Sequence, residues 1–278
     1  MPRIRAAMAA VLLLGACSTS EPAPTTAANI AAAEFVSTTA APTTTAPSTT
    51  TTTVQPSTTT TVSVLAIEAP ESSPVARLDS FSWEFETTIG AVDTDLISLE
   101  TTGVYVDGDF DCAITTGFGG FDFSTRVVVS EGATYFDDGK GDGLRPVRPG
   151  SSEIQENARL CPGSPVFWAD ITNGETLPAG GDEEERNGIV ARRLNLTGLL
   201  DEASALGLVG ASVDGVTFDE LVFWVAEGDW ISAISMRAGL EPAALQDITG
   251  STITEPGEIR VTLDVTRPDD GSLAVTPP

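Results

Sequence analysis

The stretch Phe81-Ser82-Trp83-Glu84-Phe85-Glu86 decides the fold class of this 278-residue chain. Its large apolar side chains alternate with polar ones, so an extended backbone places the aromatic rings on one face and the carboxylates on the other. This period of two is typical of a strand in a sheet with one buried face. The same alternation recurs outward along the chain between short turns, of which Asp107-Gly108 has the sequence of a two-residue hairpin.

Further strands follow this first one, and the pattern predicts about nine or ten in all. Short helices are predicted at Ser152 to Leu160 and at Leu199 to Leu208, and the acidic stretch Pro178 to Gly188 is predicted to be a solvated loop. Two short helices cannot cover so many strands. We therefore expect a mainly β (α+β) fold, in which a strongly curved antiparallel half-barrel sheet carries a few short helices over its mouth.

The N-terminus has the pattern of an export signal. Arg3 and Arg5 precede a short apolar run, which is too short to remain as a membrane span, so residues 1–16 are predicted to be a signal peptide. The run ends in Leu14-Gly15-Ala16-Cys17, which matches the lipobox of bacterial lipoproteins. Cys17 is therefore the predicted lipidation site, and its acyl chains would anchor the protein to the extracytoplasmic side of the cell membrane. An ordinary signal peptide with an incidental cysteine is the alternative.

A low-complexity segment separates this cysteine from the first strand. Threonine supplies 14 of the 25 residues from Ser37 to Thr61, and prolines interrupt the run. Such a composition cannot bury enough apolar area to offset the entropy of ordering the chain. Residues 17–77 are predicted to form a disordered tether, and residues 78–278 are predicted to form the half-barrel domain.

Composition excludes several classes of function. The chain has no histidine and a formal net charge of −26. It therefore lacks a Ser-His-Asp triad, a Cys-His pair and a histidine metal ligand. With Lys140 as its one lysine, it also lacks the cationic surface that nucleic-acid binding needs. No cofactor is expected.

Carboxylates supply no clear metal or catalytic site. Asp138 to Gly143 begins like a calcium loop, but Pro149 stands where the twelfth-position acid is needed. We predict no metal site, no catalytic residue and no enzymatic activity. An acid-dependent hydrolase would need two buried carboxylates that face one cleft.

The remaining cysteines predict a covalent link. Export brings the chain to an oxidising compartment, and lipidation of Cys17 leaves Cys112 and Cys161 as an even pair, so a disulfide between them is expected. Two buried free thiols are the alternative.

Inward aromatic side chains admit two interpretations. They can line a cavity for an apolar ligand, or they can form a plain core. The stretch Leu221 to Ala226 is apolar on both faces, which indicates an environment buried on two sides. The candidate lipid-contacting residues are Trp83, Phe85, Phe110, Phe123 and Phe223.

Several segments together resemble a known family, the actinobacterial lipid-carrier lipoproteins of the LprG/LppX type, which share a half-barrel fold with LolA and LolB. The resemblance rests on the lipobox and tether, the opening strand at Phe81, Asn187 to Gly198, the hairpin at Leu221 to Gly228, the strand Ile259 to Val265, and the tail Ala274 to Pro278. It implies a hydrophobic cavity that binds acyl chains of lipids or lipoglycans, without enzymatic activity. The family usually has a long amphipathic helix before the first strand, whereas Pro70 and Pro74 leave little room for one here.

Two functions are therefore open at the level of the sequence. The first is a membrane-tethered carrier that binds acyl chains in an apolar cavity. The second is a non-transporting surface lipoprotein whose core is filled and which has a structural or protein-interaction role.

Overall fold

A computed structural model describes residues 68–91, 94–148, 151–172, 177–198 and 214–277. The predicted signal peptide, Cys17 and most of the predicted tether lie outside the described residues, as does the helix predicted at Leu199 to Leu208. The described part is dominated by strands that form one antiparallel sheet.

Eleven strands are present in the described residues. In chain order they are β1 (Ser80–Ala91), β2 (Thr94–Val106), β3 (Asp109–Phe118), β4 (Phe121–Ser130), β5 (Ala133–Asp137), β6 (Arg145–Pro146), β7 (Asp182–Arg186), β8 (Ile189–Asn195), β9 (Val216–Ala226), β10 (Ile231–Leu240) and β11 (Gly257–Thr266). Their order across the sheet is β6-β5-β4-β3-β2-β1-β11-β10-β9-β8-β7. The first and last strands thus pair at the centre, and a meander extends from each to an edge.

One face of the sheet carries the core. Trp83, Phe85 and Ile89 of β1 stand opposite Val265, Leu263 and Ile259 of β11, and all six side chains are buried. We call this the concave face. The predicted fold class is confirmed, because the protein is mainly β and its curved, open antiparallel sheet carries short helices.

Four helices accompany the sheet within the described residues. They are α1 (Pro74–Arg77), α2 (Ser152–Ala158), α3 (Pro165–Thr172) and α4 (Pro242–Thr249). Helices α2 and α3 lie in the connection between the edge strands β6 and β7. Phe167 of α3 packs edge-on against Phe85 with 5.4 Å between ring centroids, so this helix covers part of the concave face.

The edge strand β7 corrects one expectation from the sequence. The acidic run was predicted to lie in a solvated loop, but Asp182–Arg186 pairs with β8 across an Asn187-Gly188 turn. Both turn residues have positive φ, 54° and 79°, as a tight two-residue hairpin requires. The hairpin forms because this turn brings the charged run beside a strand, even though exposed carboxylates remove the usual apolar alternation.

The segment before β1 is packed against the sheet. Ser73 and Pro74 are buried, and the backbone N–H of Ile231 donates to the carbonyl of Ser72 at 2.9 Å. The hydroxyl of Tyr105 donates to the carbonyl of Val75 at 3.2 Å. Residues 68–77, which the sequence assigned to the tether, therefore form part of the packed unit, and α1 is a single turn, as its prolines predict.

Candidate ligand-binding site on the concave face

Strands β1 to β4 place their concave side chains in cross-strand rows. Near the ends that carry Trp83, the rows are filled by buried residues. We call this group the filled end: Phe81, Trp83, Phe110, Cys112 and Val127. The segment Cys161 to Ser164 lies against it.

The filled end is closed by a covalent link and by close packing. Cys112 of β3 forms a disulfide with Cys161, which confirms the predicted pair. Gly163 lies two residues further along the chain, and a Cβ at that position would lie 2.7 Å from the ring of Trp83 and 2.8 Å from the Cβ of Phe110. A larger residue would therefore collide with the aromatic core. No space for a ligand exists at this contact.

At the opposite ends of β2, β3 and β4 the concave side chains are partly or largely exposed, whereas Thr87 and Ile89 of β1 remain buried. Ile97 of β2 pairs with Phe118 of β3, which pairs with Phe121 of β4, and in the next row Leu99, Thr116 and Phe123 pair in the same order. Phe121 is 71% exposed and Phe123 is 51% exposed. The apolar members of these rows form what we call the exposed wall: Ile97, Leu99, Phe118, Phe121 and Phe123.

A tight turn places two of the wall's aromatic rings opposite each other. Gly119 and Gly120, with φ of 56° and 86°, connect β3 to β4. They allow Phe118 and Phe121 to stand directly opposite each other on the concave face. Exposed contiguous apolar surface of this kind generally marks an interaction or ligand site.

The five predicted lipid-contacting residues divide between these two regions. Trp83, Phe85, Phe110 and Phe223 are each at most 2% exposed, whereas Phe123 belongs to the exposed wall. All five lie on the concave face. The sequence did not single out the neighbours of Phe123 as ligand-contacting residues. The sequence signal that could have identified them is the aromatic pair, Phe118 and Phe121, on either side of Gly119-Gly120.

Two buried hydroxyls lie between the filled end and the exposed wall. Thr87 of β1 is directly opposite Leu99, and Thr101 of β2 is directly opposite Phe85. Thr87 is 5% exposed and Thr101 is fully buried. Within the described residues, neither hydroxyl oxygen has a hydrogen-bond partner.

The convex side of β9 is covered by a charged side chain. The guanidinium of Arg186 lies 4.2 Å from the ring centroid of Trp224. Its Nε and one terminal nitrogen donate to the two carboxylate oxygens of Asp264, at 2.6 and 3.1 Å. The hairpin β7–β8 therefore reaches across the convex face, which explains how Trp224 is buried on that face of β9.

No carboxylate is buried in the described part of the chain. Desolvation raises the pKa of the Asp170 carboxyl group on α3, and Arg159 partly offsets the shift, but this side chain is 42% exposed. The two buried carboxylates that a hydrolase would need are thus not formed by these residues. Among the same residues, no cluster of side chains is suited to hold a metal ion.

Comparisons with known proteins identify no family. No family model matches the sequence, and no curated protein matches it. A LolA superfamily protein from Nitrosomonas europaea is similar in structure, with 13% identity over 74% of this chain and 95% of that chain, at a TM-score of 0.29. A DUF1329 family protein from Desulfovibrio piger is similar at 13% identity over 72% and 89% of the two chains, with a TM-score of 0.26.

These TM-scores are too low to carry an argument about function. The fold is defined instead by the order and register of the eleven strands. No helix in the described ranges has the length and hydropathy needed to cross a membrane.

Proposed function

We propose that this protein is an extracytoplasmic lipoprotein, tethered to the cell membrane through Cys17, which binds an acyl chain of a lipid or lipoglycan against the exposed wall. The proposal includes the kinship with LprG/LppX-type carriers that the sequence resemblance implies. The observation that carries it is the exposed wall, which presents two largely exposed phenylalanine rings on the face of the sheet that elsewhere forms the core.

The position of the wall favours a flexible apolar ligand. A chain that lies along the rows of Ile97 and Leu99 would contact side chains from three neighbouring strands. Transfer of each CH₂ group from water to apolar surroundings contributes about 0.8 kcal/mol, and ordering the chain offsets part of this gain. Affinity should therefore increase with chain length.

Burial at the filled end limits where such a ligand can bind. Trp83 and Phe110 are packed by Gly163, and Phe85 is packed by Phe167. Their packing favours a role in stability, and it also gives physical support to the second candidate function, a surface lipoprotein without a ligand. The two functions differ in whether the exposed wall binds a chain.

A titration with matched variants separates these functions. The chain from residue 18 onwards, which retains every described residue, would be titrated with fluorescent fatty acyl esters of 8 to 16 carbons. We expect saturable binding that strengthens with chain length, and we expect the double variant Phe121→Ser/Phe123→Ser to weaken it at least tenfold. Val190→Ser is the control, because Val190 is 58% exposed but lies on β8, outside the wall.

Two outcomes would decide against the carrier function. Absence of saturable binding would leave the surface lipoprotein as the better account. If the wall variant and Val190→Ser weaken binding equally, the fluorescent ester binds to exposed apolar side chains in general and not to the wall in particular.

The membrane anchor has its own test. Cys17→Ala should abolish incorporation of radiolabelled fatty acid and prevent normal processing in a bacterial host. If the variant still incorporates the label and is cleaved as the parent is, Cys17 is not the site of lipidation.

A further inference from the structure

We propose that Thr87 and Thr101 bind the neutral oxygen of an acyl ester, and that they thereby orient a chain on the exposed wall. This inference rests on the proposed function and adds the chemical class of the ligand. Its structural basis is a pair of unpartnered buried hydroxyls at the inner border of an apolar surface.

Unpartnered buried polar groups are concentrated at this place. The described residues contain five buried side-chain polar atoms without a hydrogen-bond partner, and three of them belong to Trp83, Thr87 and Thr101 on β1 and β2. All three side chains are on the concave face. Because most buried polar groups in native proteins are paired, such a concentration points to a partner that the protein chain itself does not supply.

The two hydroxyls are within reach of one small polar group. Thr101 is opposite Phe85, two residues before Thr87 on β1, so the two threonines are diagonal neighbours. Diagonal neighbours on one face of an antiparallel pair are about 7–8 Å apart. An ester has two oxygens, so one hydroxyl can donate to the carbonyl oxygen and the other to the alkoxy oxygen across this distance.

The position of the two threonines, between the filled end and the exposed wall, determines the direction in which the acyl chain would extend. Thr87 is directly opposite Leu99, which belongs to the exposed wall, whereas Thr101 is opposite Phe85, which packs under Phe167. An ester held at the threonines would therefore have the filled end on one side and the exposed wall on the other. The acyl chain would extend past Leu99 toward Phe123, and side chains at the border would shift to admit the ester.

The surroundings favour a neutral group over a carboxylate. The concave neighbours of the pair on adjacent strands are Phe85, Leu99, Ile114 and Val261, none of which is charged. The stretches between residues 68 and 278 that the structure does not describe contain no lysine or arginine in the sequence. A buried carboxylate without a cation is strongly disfavoured, whereas a neutral ester loses little on leaving water if the two hydroxyls donate to its two oxygens.

The test compares three sixteen-carbon competitors for a fluorescent acyl probe: methyl palmitate, hexadecane, and palmitate at pH 8. We expect methyl palmitate to bind about 5–25-fold more tightly than hexadecane, which corresponds to one or two hydrogen bonds of about 1 kcal/mol each. Palmitate should bind more weakly than the ester. The double variant Thr87→Val/Thr101→Val should remove the preference for the ester and leave the affinity for hexadecane within twofold.

A matched variant controls for changes to the wall. Thr116→Val alters a hydroxyl on the same face, but Thr116 is only half-buried and stands between Leu99 and Phe123. It should leave the ester preference unchanged. If all variants retain that preference, or if the parent binds ester and hydrocarbon equally, the threonines do not recognise an ester, although the wall still binds chains.

Thermal unfolding provides an independent readout. Replacement of an unpartnered buried hydroxyl by an isosteric methyl is expected to be neutral or stabilising. The double variant should therefore unfold at the same temperature as the parent or higher. A midpoint several degrees lower would show that the hydroxyls are already hydrogen-bonded within the free protein, and this would overturn the inference. Failure of all three competitors to bind would reject the proposed function as well.

Discussion

The two ends of the hairpin β3–β4 have similar apolar patterns but opposite surroundings. Phe110 and Val127 are buried beneath the disulfide and Gly163, whereas at the other end Phe118 is partly exposed and Phe121 is 71% exposed. The local sequence is apolar at alternate positions in both places. The difference shows that alternation selects the face of a sheet, while the segments packed on that face decide whether it becomes a core or a surface.

The largest expected effect contrasts one phenylalanine from each environment. Phe85→Ala should lower the free energy of unfolding by about 3–5 kcal/mol, because it removes a buried ring that packs against Phe167. Phe123→Ala should change it by less than about 0.5 kcal/mol, because half of that side chain is already exposed. Urea denaturation of both variants measures this contrast, and equal losses would contradict the division of the concave face.

Removal of the disulfide tests the covalent part of the cover. Cys112→Ala/Cys161→Ala should destabilise the protein by roughly 3–4 kcal/mol, since the bond closes a loop with a sequence separation of 49. Chemical denaturation of the parent and of the variant measures the difference. The chain from residue 18 should contain no reactive thiol when it is unfolded without reductant, and detection of two thiols would contradict the bond.

A smaller effect is expected from the charged cover on the convex face. Arg186→Ala should cost about 1–3 kcal/mol, because it uncovers Trp224 and leaves the half-buried Asp264 without its bidentate partner. Arg237→Ala is the matched control, because its ion pair with Glu258 is long, at 3.8 Å, and the Arg237 side chain is 54% exposed. A loss of similar size in both variants would show that Arg186 does not act as a cover.

The smallest expected effect concerns the pH dependence of helix α3. Desolvation raises the pKa of Asp170 above its ordinary value of 3.8, so the folded state holds this proton more tightly than the unfolded state does. The stabilisation that comes from this tighter proton binding is fully present below pH 3.8, and it is lost as the pH rises through the raised pKa of Asp170. Asp170→Asn should therefore be more stable than the parent at pH 7, and the difference should vanish near pH 3.

Urea midpoints at the two pH values measure this effect. Asp247→Asn, an exposed change on α4, should show no such difference. A variant at Asp170 that is less stable than the parent at pH 7 would show that the ion pair with Arg159, at 3.7 Å, outweighs the desolvation of the carboxylate.

The sequence predicted the parts of this fold that depend on local pattern. Alternation at Phe81 to Phe85 identified the face of β1, and the even number of remaining cysteines identified the pair Cys112–Cys161. The strand β7 was missed because a run of carboxylates has no apolar alternation, although Asn187-Gly188 signals its turn. The packed segment around Ser73 was also missed, because its contacts are with distant backbone groups such as the N–H of Ile231.

The candidate site could be predicted only in part, for a related reason. Phe85 and Phe123 lie on the same face and occupy similar alternating patterns, so the sequence placed both in a ligand cavity. Their burial differs because Phe167, more than 40 residues along the chain from either of them, covers one and not the other. The unpartnered state of Thr87 and Thr101 likewise depends on long-range packing, which no local pattern reveals.

An acyl chain is expected to bind to the exposed wall and not within the filled end. The most direct test is paramagnetic NMR of the chain from residue 18, with methyl-labelled isoleucine and leucine, in the presence of a spin-labelled methyl stearate. We predict strong broadening of the methyl signals of Ile97 and Leu99, with little effect at Leu221 and Ile231, which are buried on β9 and β10, at least three strands away from the wall. Absence of broadening, or equal broadening at all four residues, would contradict the account.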